Sequence, residues 1–317
     1  MDSLIFNWST ERIDTYLAKQ FWYSRNFFHH ILERWGVKVN NKPIKKSYKL
    51  KLGDQIDIDD LKRYFWSEIL TETPDINIPI VLEKEDYMVI NKPKWVLSHP
   101  KTIWEVNEPS VAGFLYHKFK KLPSIGDFIR AWILHRLDKW TDGLMIIAKT
   151  EKWLAHFKKL FQQKSESDTL EQKEATKLKK FYRATSYVTE KWKIFLDEIK
   201  NNLPYYIKEI VYAKIPHNIP KFWITKIINV WDIKLLRKGK GTKNDEKGEK
   251  GHGVVNLTLE ILTGRTHQIR YHLSEKWLPI VWDWLYWVED WNEVQLTAYK
   301  LVFEDLNWEI ITVWTTD

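Results

Sequence analysis

Three short segments carry polar residues where a strand-rich core has no use for them. The first is ILHRLDKWTDGLMIIAKT, residues 133–150, in which His135, Arg136 and Asp138 precede a turn and then the apolar run LMIIA. An aspartate beside an arginine at the mouth of a sheet can be a nucleophile or base, or simply one half of a structural ion pair, and spacing alone leaves both open. The second is KKFYRATSYV, residues 179–188, with Tyr182 flanked by Lys180 and Arg183. Tyr182 is either a half-buried sheet tyrosine or an aromatic platform for a nucleobase. The third, LTGRTHQIRYHL, residues 262–273, interrupts a strand-like run with Arg265, His267, Gln268, Arg270 and His272. Arg270 can offer a fixed cation and a planar fork to a carboxylate or phosphate. The histidine pair suggests a metal, but a spacing of five suits neither one helical face nor one strand face, and no carboxylate lies nearby in sequence. No metal site is expected.

The elements that must position these groups are legible in outline. Runs such as IPIVLE, YMVINKP, LMIIAKT, FYRATSYV and VVNLTLEIL read as strands, with helical stretches near 110–121 and 151–163 between them. Strands and helices without strict alternation predict an α+β domain on a mixed, mainly antiparallel sheet with flanking helices. Ahead of it, residues 1–60 read as a small α/β module. Ile13, Leu17 and Phe21 share one helical face. Ser24 stands as N-cap to a second helix carrying Phe27, Phe28, Ile31 and Leu32, and Val37 and Val39 open a hairpin region dense in lysine. Residues 61–79 are a linker, and 80–317 the larger domain. The charged run 162–180 can extend a helix, and the Gly/Lys/Glu-rich run 237–253 reads as a mobile loop. No internal repeat is present.

Composition narrows the function classes. With 50 Lys and Arg against 42 Asp and Glu, the formal charge is +8, a modest bias toward polyanions. Cysteine is absent, which excludes disulfides and thiolate zinc sites and accords with a cytoplasmic setting. No signal peptide and no membrane span are expected.

HRLDKWTDGL, the K-x-Y-x-A element of Lys180, Tyr182 and Ala184, GRTHQIR and the upstream INKPKWVLSHP resemble, in order and spacing, the bacterial ribosomal large-subunit type of pseudouridine synthase. LPIVWDWLYW, residues 278–287, continues the resemblance. The N-terminal module resembles the α-L RNA-binding domain of the ribosomal-protein type. The resemblance implies an isomerase that turns uridine into pseudouridine in structured RNA, most readily large-subunit rRNA or its assembly precursor, with tRNA as a further substrate class. It implies Asp138 as the essential carboxylate, attacking the anomeric carbon or removing the 2′ proton. Arg270 is then the cation that keeps Asp138 ionised, and Tyr182 stacks on the flipped uracil. Arg136, Arg265 and His267 contact RNA in this domain, as do Arg25, Lys38 and Lys45 in the module. No cofactor is implied, because the reaction is an isomerisation, and a monomer is expected. Two rivals stand beside this reading. One is a non-catalytic RNA-binding ribosome-assembly factor. The other is a hydrolase using Asp138 with His135 or His267, for which no positioning carboxylate is visible in the sequence.

One feature of the composition is abnormal. The chain has 19 Trp and 11 Gly, whereas ordinary usage predicts about 22 glycines in a chain of this length. Trp95, Trp132, Trp140, Trp277, Trp282 and Trp287, with Trp22 and Trp35 in the module, stand where the resembling family carries glycine or another small turn residue. Those positions are expected to need a positive φ or a close backbone approach.

Overall fold

The computed structural model describes every residue except 1, 8, 9, 24, 65–72, 101–104, 106, 120–131, 168, 189–192, 213–219, 236–252, 287–292 and 316–317. The described chain forms two compact units, Met1–Asn77 with Leu97–Ile133, and Ile78–Val96 with Leu134–Asp317.

In the first unit, β1 (Asp2–Ile5), α1 (Ile13–Phe21), α2 (Arg25–Glu33), β2 (Val37–Val39), β3 (Lys42–Pro43) and β4 (Gln55–Ile58) precede a 3-10 turn at Leu61–Tyr64, and α3 (Val111–Phe119) joins the same unit. The sheet runs β1-β4-β2-β3, antiparallel throughout. Ile13 and Leu17 of α1 and Phe28 and Ile31 of α2 are fully buried against Val37 and Ile56, as their helical and strand periods dictate. Ser24 lies outside the described residues. Tyr64 is buried in this core, so the segment after residue 60 begins as part of it. At its edge Asp14 is fully buried. Burial alone would raise its pKa, but hydrogen bonds from Arg12, Arg25 and His29 outweigh that and hold the carboxyl well below the usual range.

The second unit adds β5 (Ile80–Glu83), β6 (Tyr87–Lys92), β7 (Asp142–Ala148), α4 (Glu151–Glu166), α5 (Leu170–Glu174), β8 (Leu178–Val188), α6 (Lys193–Asn201), β9 (Tyr205–Tyr212), β10 (Pro220–Leu235), β11 (Gly253–Ile261), α7 (Gln268–Glu275), β12 (Leu296–Glu304) and β13 (Ile310–Trp314). The strands form one sheet in the order β5-β6-β7-β12-β8-β11-β10-β9, with β13 paired to β12. All pairs are antiparallel except β7 with β12, so the domain is α+β on a mixed, mainly antiparallel sheet. Trp153 and Phe157 of α4 pack on Tyr87, Val89, Leu144 and Ile146. The parallel contact is tight: Gly143 has φ 121°, and a Cβ there would run into the Ala298 backbone. The charged run after residue 162 does not continue one helix. α4 ends at Glu166, and a capping box between Thr169 and Gln172 starts the short α5. The loop read at 237–253 lies outside the described residues save Gly253, which opens β11. No helix among the described residues is long and apolar enough to cross a membrane.

Among the described residues nine non-glycine residues have positive φ, and six are tryptophans: Trp22, Trp35, Trp95, Trp277, Trp282 and Trp308. Five of these are among the eight positions expected to need glycine-like backbone, and Trp308 is an addition. Trp132 and Trp140 do not have positive φ. Trp287 lies outside the described residues.

Candidate active site

The three polar segments converge. A cavity of about 260 Å³ in the second unit is lined by residues 134–138 of the first segment, Lys180 and Tyr182 of the second, and residues 263–270 of the third, with Phe161 and Lys164 from α4.

Each side chain is aimed by its element. Asp138 lies in the turn that leads into β7. Its carbonyl accepts from Thr141 N–H at 3.0 Å, and the next carbonyl, of Lys139, accepts from Trp95 N–H at 2.8 Å. The Lys92 ammonium donates to the carbonyls of Pro93 and Val96 and, at 3.4 Å, of Lys139, pinning the same turn. Burial pulls Lys92 down to about 7, against the raising pull of Asp142 and Asp138. β8 alternates along its length, with Leu178, Lys180, Tyr182 and Ala184 on one buried face. Lys180 and Tyr182 therefore reach the cavity together. Burial, reinforced by the Asp138 charge, pushes the Tyr182 phenol well up, and burial lowers Lys180 to about 8. Lys164, which donates to Leu178 O at 2.8 Å, is brought down to about 7 by burial and by the neighbouring Lys180. The cavity is thus walled by a neutral phenol and by amines that deprotonate readily.

The third segment is stapled by a buried residue that the sequence did not single out for that role. The Gln268 side-chain oxygen accepts from Thr263 Oγ at 2.7 Å and Arg265 N–H at 3.2 Å, while its amide donates to Ile224 O and Thr225 Oγ of β10. This fixes the turn carrying Arg265 and His267. His267, at φ 56°, places Nε2 3.7 Å from Asp138 Oδ1 and Nδ1 3.2 Å from the Tyr286 hydroxyl. Arg265 is half-buried, and its Nε has no partner among the described residues.

Two expectations need correcting. Arg270 lines the cavity but does not pair with Asp138. Its fork is held by Asp283, at 2.8 and 2.6 Å, with the guanidinium carbon 5.3 Å from the Tyr286 ring centre. The histidines, for their part, do have carboxylates near in space: His267 faces Asp138, and His272 Nε2 is 3.7 Å from Glu209. Sequence separation hid both. No cluster of metal-ligating type occurs among the described residues. His135 does not suit the hydrolase reading. Its Nε2 accepts from Ile146 N–H at 3.0 Å, its ring stacks on Phe161, and burial, followed by Lys180, drives its pKa well below the usual histidine range. Arg136 is exposed at the cavity. Arg25, Lys38 and Lys45 belong to the other unit: Lys38 and Lys45 are exposed, whereas Arg25 is half-exposed and paired to Asp14 at 2.7 Å.

Residues 86–275 match the RNA pseudouridylate synthase family, and residues 11–56 match the S4 domain. The chain belongs to the RNA pseudouridine synthase family, a family of isomerases, and carries an N-terminal S4 RNA-binding domain. It is 30% identical over 285 residues to an uncharacterized RNA pseudouridine synthase of Aquifex aeolicus, covering 87% of this chain and 77% of that one. It is 28% identical over 303 residues to ribosomal large subunit pseudouridine synthase D of Borreliella burgdorferi, covering 92% and 81%. Among solved structures, human RNA pseudouridylate synthase domain containing 1 superposes with a TM-score of 0.48 at 20% identity, over 76% of this chain and 84% of that one.

Proposed function

We propose that this protein converts specific uridines of large-subunit ribosomal RNA, or of its assembly precursor, to pseudouridine, with Asp138 as the essential carboxylate and no cofactor. The observation that carries the proposal is the meeting of Asp138, Tyr182 and Arg270, from three distant segments, in one cavity. The relatives named for the large ribosomal subunit support the choice of RNA.

The reaction breaks the bond from uracil N1 to ribose C1′, turns the base, and joins C5 to C1′. The C5 proton leaves and N1 gains one, so atoms and electrons balance without an outside oxidant or reductant. The target base must first leave its stack, and the cavity has the size of one extruded base rather than of a duplex. Asp138 acts ionised, either attacking C1′ or removing the 2′ proton. His267, 3.7 Å away, is close enough to help orient it. Tyr182, kept neutral by burial, lies against the turned uracil and can donate a hydrogen bond to it. Arg270, locked on Asp283, forms a rigid cationic wall, and Arg136 and Arg265 meet the flanking phosphates. Lys38 and Lys45 add phosphate contacts from the S4 unit, while the Arg25–Asp14 pair serves that unit's fold as much as RNA. The protein acts as a monomer in the cytoplasm.

The test is pseudouridine mapping in cells with and without the gene. Uridines of large-subunit rRNA that lose the modification on deletion support the proposal. An unchanged rRNA map alongside a changed tRNA map moves the substrate assignment to tRNA.

A further inference from the structure

The left-handed tryptophans occupy backbone positions with a shared chemistry. After α2, Trp35 N–H bonds Leu32 O and Gly36 N–H bonds Ile31 O; after α7, Trp277 N–H bonds Ser274 O and Leu278 N–H bonds Leu273 O. Both are Schellman endings with tryptophan at the left-handed residue, the position glycine usually fills. Trp22 ends α1 at φ 58° and ψ 26°, the same cap conformation. Trp308 is the third residue of the three-residue loop closed by Asp305 and Glu309 between β12 and β13, at φ 66°, where a G1 bulge calls for glycine. Trp282, at φ 61°, is the third residue of a turn closed by Asp283 N–H on Ile280 O, where a type II turn requires glycine. Trp95 has φ 68° in the turn that holds the Asp138 loop.

Only a few per cent of non-glycine residues take positive φ, chiefly asparagine and aspartate, and for a bulky side chain the conformation is an outlier. Among the described residues tryptophan supplies six of the nine non-glycine residues with positive φ, although in the full sequence it is only 19 of 317. Burial does not offset the strain, since Trp22, Trp35, Trp277 and Trp308 are 92%, 71%, 60% and 81% exposed. A separate observation concerns packing. The Trp95 and Trp140 ring centres are 3.7 Å apart at 73°, closer than the roughly 4.5–7 Å that aromatic pairs adopt. The two indoles crowd each other next to the turn that carries Asp138.

We propose that Trp22, Trp35, Trp95, Trp277, Trp282 and Trp308 are glycine in the working protein, each specified by a UGA codon that the source organism reads as glycine. UGA is tryptophan in some genetic codes and glycine in others, and decoding by the wrong one converts each UGA-specified glycine to tryptophan. This accounts for the coincidence of tryptophan with left-handed backbone, and it moves tryptophan and glycine from 19 and 11 toward ordinary usage.

The direct test is peptide mass spectrometry of the protein isolated from cells that carry the gene. Glycine at all six positions is expected, and tryptophan at any of them overturns the proposal. A second measurement isolates the backbone effect in recombinant protein. Trp22→Gly, Trp35→Gly, Trp277→Gly and Trp308→Gly should each raise Tm, and the matching alanine variants should raise it less, because alanine does not relieve positive φ. Equal gains from alanine and glycine would trace the effect to loss of an exposed indole and count against it. Neither readout depends on enzymatic activity.

Discussion

At the scale of single residues, the proposed role of Asp138 rests on its surroundings. Its near neighbours are His267 at 3.7 Å and the buried Tyr182 phenol. His267→Asn keeps a residue tolerant of left-handed backbone but removes the ring. It should lower kcat on the order of tenfold, about 1.4 kcal/mol, with RNA affinity unchanged, and single-turnover kinetics with RNA-binding titrations checks this. Loss of RNA binding instead would return His267 to an RNA contact. Part of this arrangement is legible in the sequence. Lys180 and Tyr182 share a face because a strand alternates with a period of two, and Asp138 stood at the start of a buried strand. The partner of Arg270 could not be read. Asp283 lies beyond α7 in a turn, and nothing local in WDWLY says which cation it meets.

At the scale of elements, the staple at Gln268 and the Asp14 cluster are the points of greatest leverage. Gln268→Ala removes the bonds made to Thr263, Thr225, Ile224 O and the Arg265 amide and should cost about 2 kcal/mol, read as a shift in the denaturation midpoint. In the first unit, Asp14→Asn leaves Arg12, Arg25 and His29 without their shared carboxylate. The expected loss is about 2 kcal/mol at neutral pH, below that of a fully buried pair because both arginines are half-exposed. Asp14 has a depressed folded pKa, so its stabilisation is present above the ordinary aspartate range and fades as pH falls through the folded value. Acid unfolding of the variant should accordingly be shallower than that of the wild type. The α1–α2 pair and the β5, β6, β7, β8 and β11 strands were visible as periodic apolar runs. The β9–β10 hairpin and β12 are not legible this way, because alternation there is broken by charges whose partners, such as Glu174 for Lys226, sit on another element.

At the scale of the whole molecule, charge and buried amines govern behaviour. The net +8 and the exposed lysines of the S4 unit predict RNA affinity that weakens steeply with salt. Lys38→Ala with Lys45→Ala should reduce the slope of log K against log salt by about 2. Lys92, Lys164 and Lys180 all have folded pKa values below the ordinary lysine value. The unfolded chain then binds more protons than the folded one, so stability should rise between about pH 7 and pH 10. Lys164→Met should flatten that rise, measured as unfolding free energy against pH. The measurement that bears most directly on the central claim is release of C5 tritium from uridine-labelled ribosomal RNA by the wild type and by Asp138→Asn, each prepared with the six left-handed positions as tryptophan and as glycine. The wild type should release tritium in at least the glycine form, and Asp138→Asn should release none while still binding the RNA. Release by Asp138→Asn at the wild-type rate, or none by the wild type in either form, would contradict that claim.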